Sequence, residues 1–232
     1  GQAHAVMVRS PHAHARINSI STSLAWAAPG VLGVFTGEDV AADGLGTMTP
    51  SVPRKRPDGS PMFARSHPGL ANGYVRYVGD PFALVIAETI SQALDAAELI
   101  EVDFDELPSV TDTAQAVAGR VAVWDECPDN VSNIFEAGDG AAAATAFAKA
   151  AKIVRRRYVI SRVYAHFMEP RGVIGSYDRG EDRYTLYADV QYPHRVRNAL
   201  ASKIFKIPEN KIRVIAGDVG GGFGTKGWRY PE

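Results

Sequence analysis

The segment GDVGGGFGTKG, residues 217–227, holds the most chemically suggestive spacing in the chain. Gly220, Gly221 and Gly222 leave three consecutive positions without side chains, directly after an apolar run, KIRVIAGDV, that reads as a strand. Glycine admits positive φ and lets a ligand approach main-chain N–H groups, and concave nests of such groups bind anions. Two phosphate loops can be tested against this pattern. A Walker loop needs glycine immediately before its lysine, but Thr225 precedes Lys226. The dinucleotide fingerprint GxGxxG is present as Gly222, Gly224 and Gly227. It should open a helix and have an acidic partner about 20 residues later. Trp228, Arg229, Tyr230 and Pro231 follow instead; the proline opposes a helix, and no acidic partner occurs at that distance.

Other chemistry-bearing residues are sparser. His12 and His14 stand two apart, which on a strand places both on one face, but no third metal ligand accompanies them. Cys127 is the only cysteine, in a polar turn, DECPDN, with no base partner in view, and reads as an incidental surface or linker thiol. One cysteine excludes an internal disulfide framework, a zinc ribbon or an iron–sulfur cluster on this chain and fits a reducing, cytoplasmic compartment. Arg54, Lys55 and Arg56 form a basic cluster that reads as a solvated loop rather than a nucleic-acid patch, consistent with a net charge of −1 over 232 residues.

The elements that must position these residues divide into three zones. A hydrophobic fraction of 46% with 22% charged residues is ordinary for a packed core, and no apolar run is long enough for a membrane span. Residues 1–112 mix short strands and helices. AHAVMVR, ARINSI and VLGVFTG read as strands, and SLAWAAPG as one or two helical turns capped by Ser21 or Thr22 and stopped by Gly30. A long Pro/Gly-rich loop, about 41–73, follows. PFALVIAE then reads as a buried strand, SQALDAAELI as a helix burying Ala93, Leu94 and Ala97, and EVDFDELP as a returning strand, together a compact crossover unit. Residues 113–150 read as a linker ending in an alanine-rich helix capped by Asp139. From Ile153, IVRRRYVISRVYAHF alternates like a long strand. YTLYADVQ is another strand, and Pro193 suits the first turn of a helix, PHRVRNALASKIF, with Val196, Leu200 and Ile204 on one stripe.

VGGGFGTK resembles the glycine-rich loop, GGGFGxK, of the molybdopterin-binding subunits of xanthine dehydrogenase, aldehyde oxidase and aerobic carbon monoxide dehydrogenase. Further stretches agree in order: RSPHAHARI, PGVLGVFTG, VRYVGDPFALVIAET and AAELIEVDFDELPSVTD resemble the family's α/β-hammerhead domain. MEPRG, VQYPHRVR and LASKIFKIPENKIRVIAGDVGGGFG resemble the opening of its cofactor-binding region. The resemblance spans nearly the whole chain. It implies an α+β fold, with an α/β-hammerhead domain at 1–112, a linker at 113–150 and the beginning of a molybdopterin-binding domain at 151–232.

The resemblance also assigns residues. Gln191 matches the glutamine that lies beside an oxo ligand of molybdenum in the family, where an amide NH₂ donates a hydrogen bond without adding charge. The backbone at Phe223 matches the main chain that contacts the molybdenum centre, with Gly221, Gly222 and Gly224 shaping the loop. His166 and Glu169 lie near MEPRG without a matching role, and His194 is expected only to lie near the loop. One departure bears on substrate: purine-hydroxylating members place a glutamate directly after the loop lysine, and here that position is Gly227. GTKGWRYPE is closer to the carbon-monoxide-dehydrogenase-like branch.

What the resemblance implies for the complete enzyme is oxidative hydroxylation of a small-molecule carbon centre at a molybdenum–molybdopterin cofactor, expected in its cytosine dinucleotide form. Electrons would leave through partner subunits carrying iron–sulfur clusters and FAD. The family's catalytic glutamate lies far toward the C-terminus of the full subunit, and Glu232 does not match it, so no catalytic residue is expected here. The chain reads as a truncated piece of the subunit, inactive alone and without bound cofactor. The alternative is a non-catalytic interface or assembly module of such a complex.

Overall fold

The computed structural model describes residues 1–50, 52–56, 58–160, 163–227 and 230–231. Trp228, Arg229 and Glu232, and Ser161 and Arg162 of the expected long strand, lie outside the described residues. The first half contains strands β1 (His4–Arg9), β2 (Ala15–Ser21), β3 (Val31–Thr36), β4 (Tyr74–Val75), β5 (Pro81–Ala87) and β6 (Glu101–Glu106). Its helices are α1 (Ser23–Ala27), α2 (Gly37–Ala42) and α3 (Ile90–Ala97). Two short helices, α4 (Thr113–Val117) and α5 (Gly140–Lys149), precede β7 (Val173–Asp178), β8 (Arg183–Ala188), α6 (Pro193–Ala199) and β9 (Ile212–Ile215). Helices and strands are mixed without regular alternation, an α+β arrangement.

β5 is the centre of the first sheet, order β1-β5-β3, antiparallel to both neighbours. Its continuous apolar sequence suits burial on both faces. Ala25, Val34, Val85, Ala87, Ala93 and Ala96 form one core cluster, in which alanines on α1 and α3 allow close approach to the sheet. The second sheet has the order β4-β2-β6, and its core joins Ala15, Ala71, Val75, Phe82 and Ala83. Phe82 and Phe104 meet edge to face, with centroids 5.7 Å apart.

Four expectations need correction here. The β5–α3–β6 segment is not a crossover within one sheet: β6 pairs with β2 in the second sheet, because both edges of β5 are already occupied by β1 and β3. On α3 the buried face is Ala93 and Ala96, whereas Leu94 is exposed. Thr22 sits at the N-cap of α1 but makes no side-chain cap bond. The long strand expected from Ile153 does not form in the described residues. Residues 153–160 pair with no neighbour, and Val154, Tyr158, Val159 and Ile160 are all exposed. Alternation marks a chain able to enter a sheet, but a strand also needs a partner to satisfy its N–H and C=O groups.

The linker region is anchored to the first half. Asn130, at φ 56, donates from Nδ2 to the carbonyls of Ala116 (3.0 Å) and Val121 (2.7 Å) and accepts at Oδ1 from the Val123 N–H (2.9 Å). Arg56 is half-buried rather than solvated and donates to the Val131 carbonyl at 2.6 Å. Arg76 stacks on Trp124, 3.7 Å from the ring centroid. Cys127 is buried, not on the surface; burial and the hydrogen bond from its Sγ to Asp129 push the thiol pKa up, so it stays protonated. Asp139 caps α5 as expected, accepting from the Ala142 N–H at 2.8 Å.

The last sheet, β7-β8-β9, contains β7, which the sequence reading did not single out. β8 and β9 are parallel, Tyr184 opposite Ile212 and Tyr187 opposite Ile215, as a strand–helix–strand connection through α6 requires. After α6 the helix widens to a π-helical turn, Leu200–Phe205. Val196, Leu200 and Ile204 line a cleft of about 680 Å³ between this sheet and the first, with Met7, Phe35 and Leu84 on the opposite wall. The two halves also meet where the Gly46 N–H donates to the Ile204 carbonyl at 2.8 Å and Lys206 Nζ to the Gly44 carbonyl at 2.8 Å. No helix among the described residues is long and apolar enough to cross a membrane.

Candidate functional site

β8 ends at Ala188, and the chain turns through Asp189, Val190, Gln191 and Tyr192 before Pro193 starts α6. Proline suits that first helical position because its missing N–H would have no partner there. β9 ends at Ile215, earlier than the apolar run through Val219, and the glycine loop follows as irregular chain closed by a single 3₁₀ turn, Thr225–Gly227. Because β8 and β9 are parallel neighbours, both segments leave the same end of the sheet. Gln191 and the glycine loop, 30 residues apart in sequence, therefore lie side by side.

Their contact is close. A Cβ placed on Gly222 would stand 2.7 Å from Cδ of Gln191 and 2.8 Å from its Cγ and Oε1, so only glycine fits without displacing the amide. The Gln191 N–H donates to the Lys226 carbonyl at 3.1 Å. Within the loop, Gly221, Phe223 and Gly224 have φ of +96°, +45° and +82°. Phe223 is a bulky residue in the left-handed region, a strained conformation that persists only where the surroundings impose it. Its side chain is exposed, so the position is set by the main chain rather than by burial of the ring.

Beneath the loop lies a group that sequence reasoning missed. Lys226 is 1% exposed. Its Nζ pairs with Glu169 Oε2 at 2.8 Å and Asp189 Oδ2 at 2.5 Å, and sits 4.5 Å from the Phe167 ring centroid. Glu169 Oε2 also accepts from the Gly220 N–H at 2.6 Å, and Asp189 Oδ1 accepts from the Gly172 N–H at 2.9 Å. Burial alone would lower the lysine pKa, but hydrogen bonds to Asp189 and Glu169 outweigh it and hold the ammonium above its usual range. Glu169 is held below the usual carboxylate range by its bonds from Lys226 and Gly220. For Asp189, burial opposes ionisation, but the bonds from Lys226 and Gly172 leave its pKa lowered. Lysine in a glycine-rich loop signals an anion ligand more readily than an internal ion pair, and Glu169 is 57 residues away, so spacing carried no hint of it.

The remaining sequence candidates are elsewhere. His12 and His14 lie in the connection between β1 and β2; His14 Nδ1 is 2.9 Å from the Pro108 carbonyl, and His12 packs against Phe104. No group of three or more His, Cys, Asp or Glu side chains among the described residues could hold a metal ion. His194 occupies the second position of α6. The apolar cleft adjoins the site: Asp189, Val190 and Lys226 line it, whereas Gln191 and Phe223 do not.

The residues present fit an anionic group bearing acceptors. Gln191 Oε1 is buried without a hydrogen-bond partner. Amide oxygen and nitrogen exchange places on rotation about the terminal torsion, so this position can present either a donor or an acceptor to a ligand. The main chain of Gly222, Phe223 and Gly224 adds N–H groups beside it, while the Gly221 N–H is taken by the Val219 carbonyl at 2.8 Å.

Known proteins share this chain's two halves. Residues 1–108 match the aldehyde oxidase and xanthine dehydrogenase a/b hammerhead domain, and residues 123–232 match the molybdopterin cofactor-binding domain. The chain is 38% identical over its whole length to the nicotine 6-hydroxylase large subunit of Paenarthrobacter nicotinovorans, of which it covers 28%. It is 34% identical to the carbon monoxide dehydrogenase large chain of Hydrogenophaga pseudoflava, again over its whole length and 28% of that protein. The crystal structure of quinoline 2-oxidoreductase from Pseudomonas putida 86 superposes with a TM-score of 0.88 at 36% identity, covering all of this chain and 28% of that one. The chain thus spans little more than a quarter of the length of these relatives. With hammerhead and cofactor-binding domains matched in order, the chain belongs to the xanthine dehydrogenase, aldehyde oxidase and carbon monoxide dehydrogenase family, in its molybdopterin-binding large subunit.

Proposed function

We propose that Gln191 and the main chain of Gly221, Gly222, Phe223 and Gly224 form one wall of a molybdenum–molybdopterin site in an oxidoreductase that hydroxylates a carbon centre. The observation that carries this reading is the buried, unpartnered Oε1 of Gln191, whose side chain is pressed against the bare backbone of Gly222. The cofactor supplies the two-electron redox chemistry when bound. The chain's residues would bind and orient it: the Gln191 NH₂ would donate to an acceptor atom of the group, and loop N–H groups would stabilise its negative charge. Both are neutral donors, so they would hold an anionic group without adding charge to the site. No residue of this chain is assigned proton transfer.

The relatives named above act, by their names, on nicotine, carbon monoxide and quinoline. The substrate proposed here is likewise a small molecule, and Gly227 in place of a glutamate counts against a purine. The cytosine dinucleotide form of the cofactor, and partner subunits with iron–sulfur clusters and FAD, belong to the same reading. So does the division into a hammerhead domain at 1–112, a linker at 113–150 and a cofactor-binding domain from 151. The 232-residue chain alone is proposed to hold the cofactor weakly.

The test is metal analysis of the full-length subunit purified in its complex, followed by Gln191→Ala. Molybdenum near one per subunit is expected. The variant should keep its melting temperature and lose about 10²-fold in kcat, the scale for removing one preorganised donor. Absence of molybdenum from the intact complex refutes the cofactor assignment, and unchanged kinetics removes Gln191 from the site.

A further inference from the structure

We propose that Lys226 is a positioning residue: its buried ammonium, gripped by Glu169 and Asp189, locks the glycine loop and the Gln191 turn into a single rigid wall. The inference rests on the cofactor reading above and extends it to three charged residues that pair with one another beneath the loop.

A loop built to expose main chain has a physical problem. Glycines lose the most conformational freedom on ordering, and this loop has three positions at positive φ, one of them the strained Phe223. The glycines have no side chains and the Phe223 ring is exposed, so neither restrains the loop. The restraint comes from Lys226 at the loop's end and from carboxylates on other segments. Glu169 Oε2 accepts from the Gly220 N–H at 2.6 Å and from Lys226 Nζ at 2.8 Å, so one carboxylate oxygen ties the start of the loop to its end. Lys226 Nζ reaches on to Asp189 Oδ2, two residues before Gln191, and the Lys226 carbonyl accepts from the Gln191 N–H at 3.1 Å. Asp189 in turn holds the Gly172 N–H at 2.9 Å. Lys226 is thus linked by side chain or main chain to the turn near 169–172, the turn at 189–191 and the loop at 220–226.

The charge is part of the device. A buried ion pair is often no better for stability than apolar residues of the same volume, so stability alone gives little reason to bury a lysine between two carboxylates. What the pairing supplies is direction: three N–H donors on one nitrogen, met by carboxylates from separate segments, fix where those segments stand relative to one another. The glycines show how finely. A Cβ on Gly220 would stand 2.6 Å from Glu169 Cβ, and one on Gly227 would stand 2.9 Å from the Tyr192 ring.

The experiment uses the full-length subunit in its purified, cofactor-loaded complex, with variants Glu169→Gln, Asp189→Asn and Lys226→Met. Molybdenum per subunit, the Mo(V) electron paramagnetic resonance signal after partial reduction, and the melting curve are measured for each. The expected result is that cooperatively melting variants lose more than half their molybdenum, or retain it with a shifted Mo(V) signal. Wild-type molybdenum content together with a wild-type signal overturns the proposal, even where the melting temperature drops, because the triad is then only a structural ion pair. Should Lys226→Met fail to fold, Glu169→Gln and Asp189→Asn decide, since each leaves the ammonium one carboxylate. A wild-type complex without molybdenum overturns the cofactor reading and this inference with it. A molybdenum-bearing wild type with unaffected variants overturns this inference alone.

Discussion

Replacing Gly222 by alanine probes the site at its tightest contact. The backbone there lies outside the left-handed region, so alanine meets no conformational penalty, only a steric one. The new methyl would stand 2.7 Å from Gln191 Cδ, against 3.4 Å at the near edge of ordinary contact, so the amide must withdraw by about 0.7 Å. The loop is the poorer candidate to move, because Gly220 is seated against Glu169 and Gly227 against Tyr192. Gln191 is a flexible side chain, so the folding cost falls at the low end of overpacking, about 1 kcal/mol. The functional cost is larger: misplacing a positioned group by about 1 Å costs on the order of 10²-fold, or about 2.7 kcal/mol in activation free energy. The assay is kcat/KM of the full-length complex, with melting curves, for Gly222→Ala in the wild type and in Gln191→Ala. If the loss runs through Gln191, it disappears in the Gln191→Ala background. A Gly222→Ala variant with wild-type kcat/KM, or one that loses as much without Gln191 as with it, refutes the reasoning.

Acid should loosen the triad. Glu169 and Asp189 both have lowered pKa values in the fold, so the stability they contribute is fully present above their unfolded values, about 4, and is lost as pH falls through their lower folded values. Lys226, raised in the fold, keeps its contribution throughout neutral pH and loses it only in strong alkali. Melting temperature measured from about pH 6 down to about pH 3 should fall more steeply for wild type than for Glu169→Gln; parallel curves would show that the carboxylate is not coupled to folding. Asn130→Ala removes the side chain holding the Ala116 and Val121 carbonyls and the Val123 N–H, and replaces a residue tolerant of φ 56. It should destabilise by about 2–4 kcal/mol in urea unfolding without changing molybdenum content, and a loss below about 0.5 kcal/mol would mean water substitutes for the amide.

The sequence by itself determined most elements and the family. Alternation and continuous apolar runs marked β1, β3, β5 and β8; Pro193 marked the start of α6; Asp139 marked that of α5. These signals are local, arising from side-chain period, fixed φ and a short polar cap, so they are legible without knowing any partner. The ordered motifs from RSPHAHARI to GGGFG were equally legible, because they are collinear. What depended on pairing was not. The run from Ile153 has a strand's alternation yet stays unpaired in the described residues, and β6 joined β2 because β5 had no free edge. Cys127 and Arg56 looked exposed in polar sequence, yet Cys127 is buried and Arg56 half-buried where the linker packs on the long loop. The tertiary structure alone decided that Gln191 lies against Gly222, and that Lys226 points inward to Glu169 and Asp189 rather than outward to a ligand. The physical reason is that a lysine's partner is set by which carboxylates the fold carries within about 3 Å of its nitrogen. Glu169 arrives there from 57 residues away by way of the sheet.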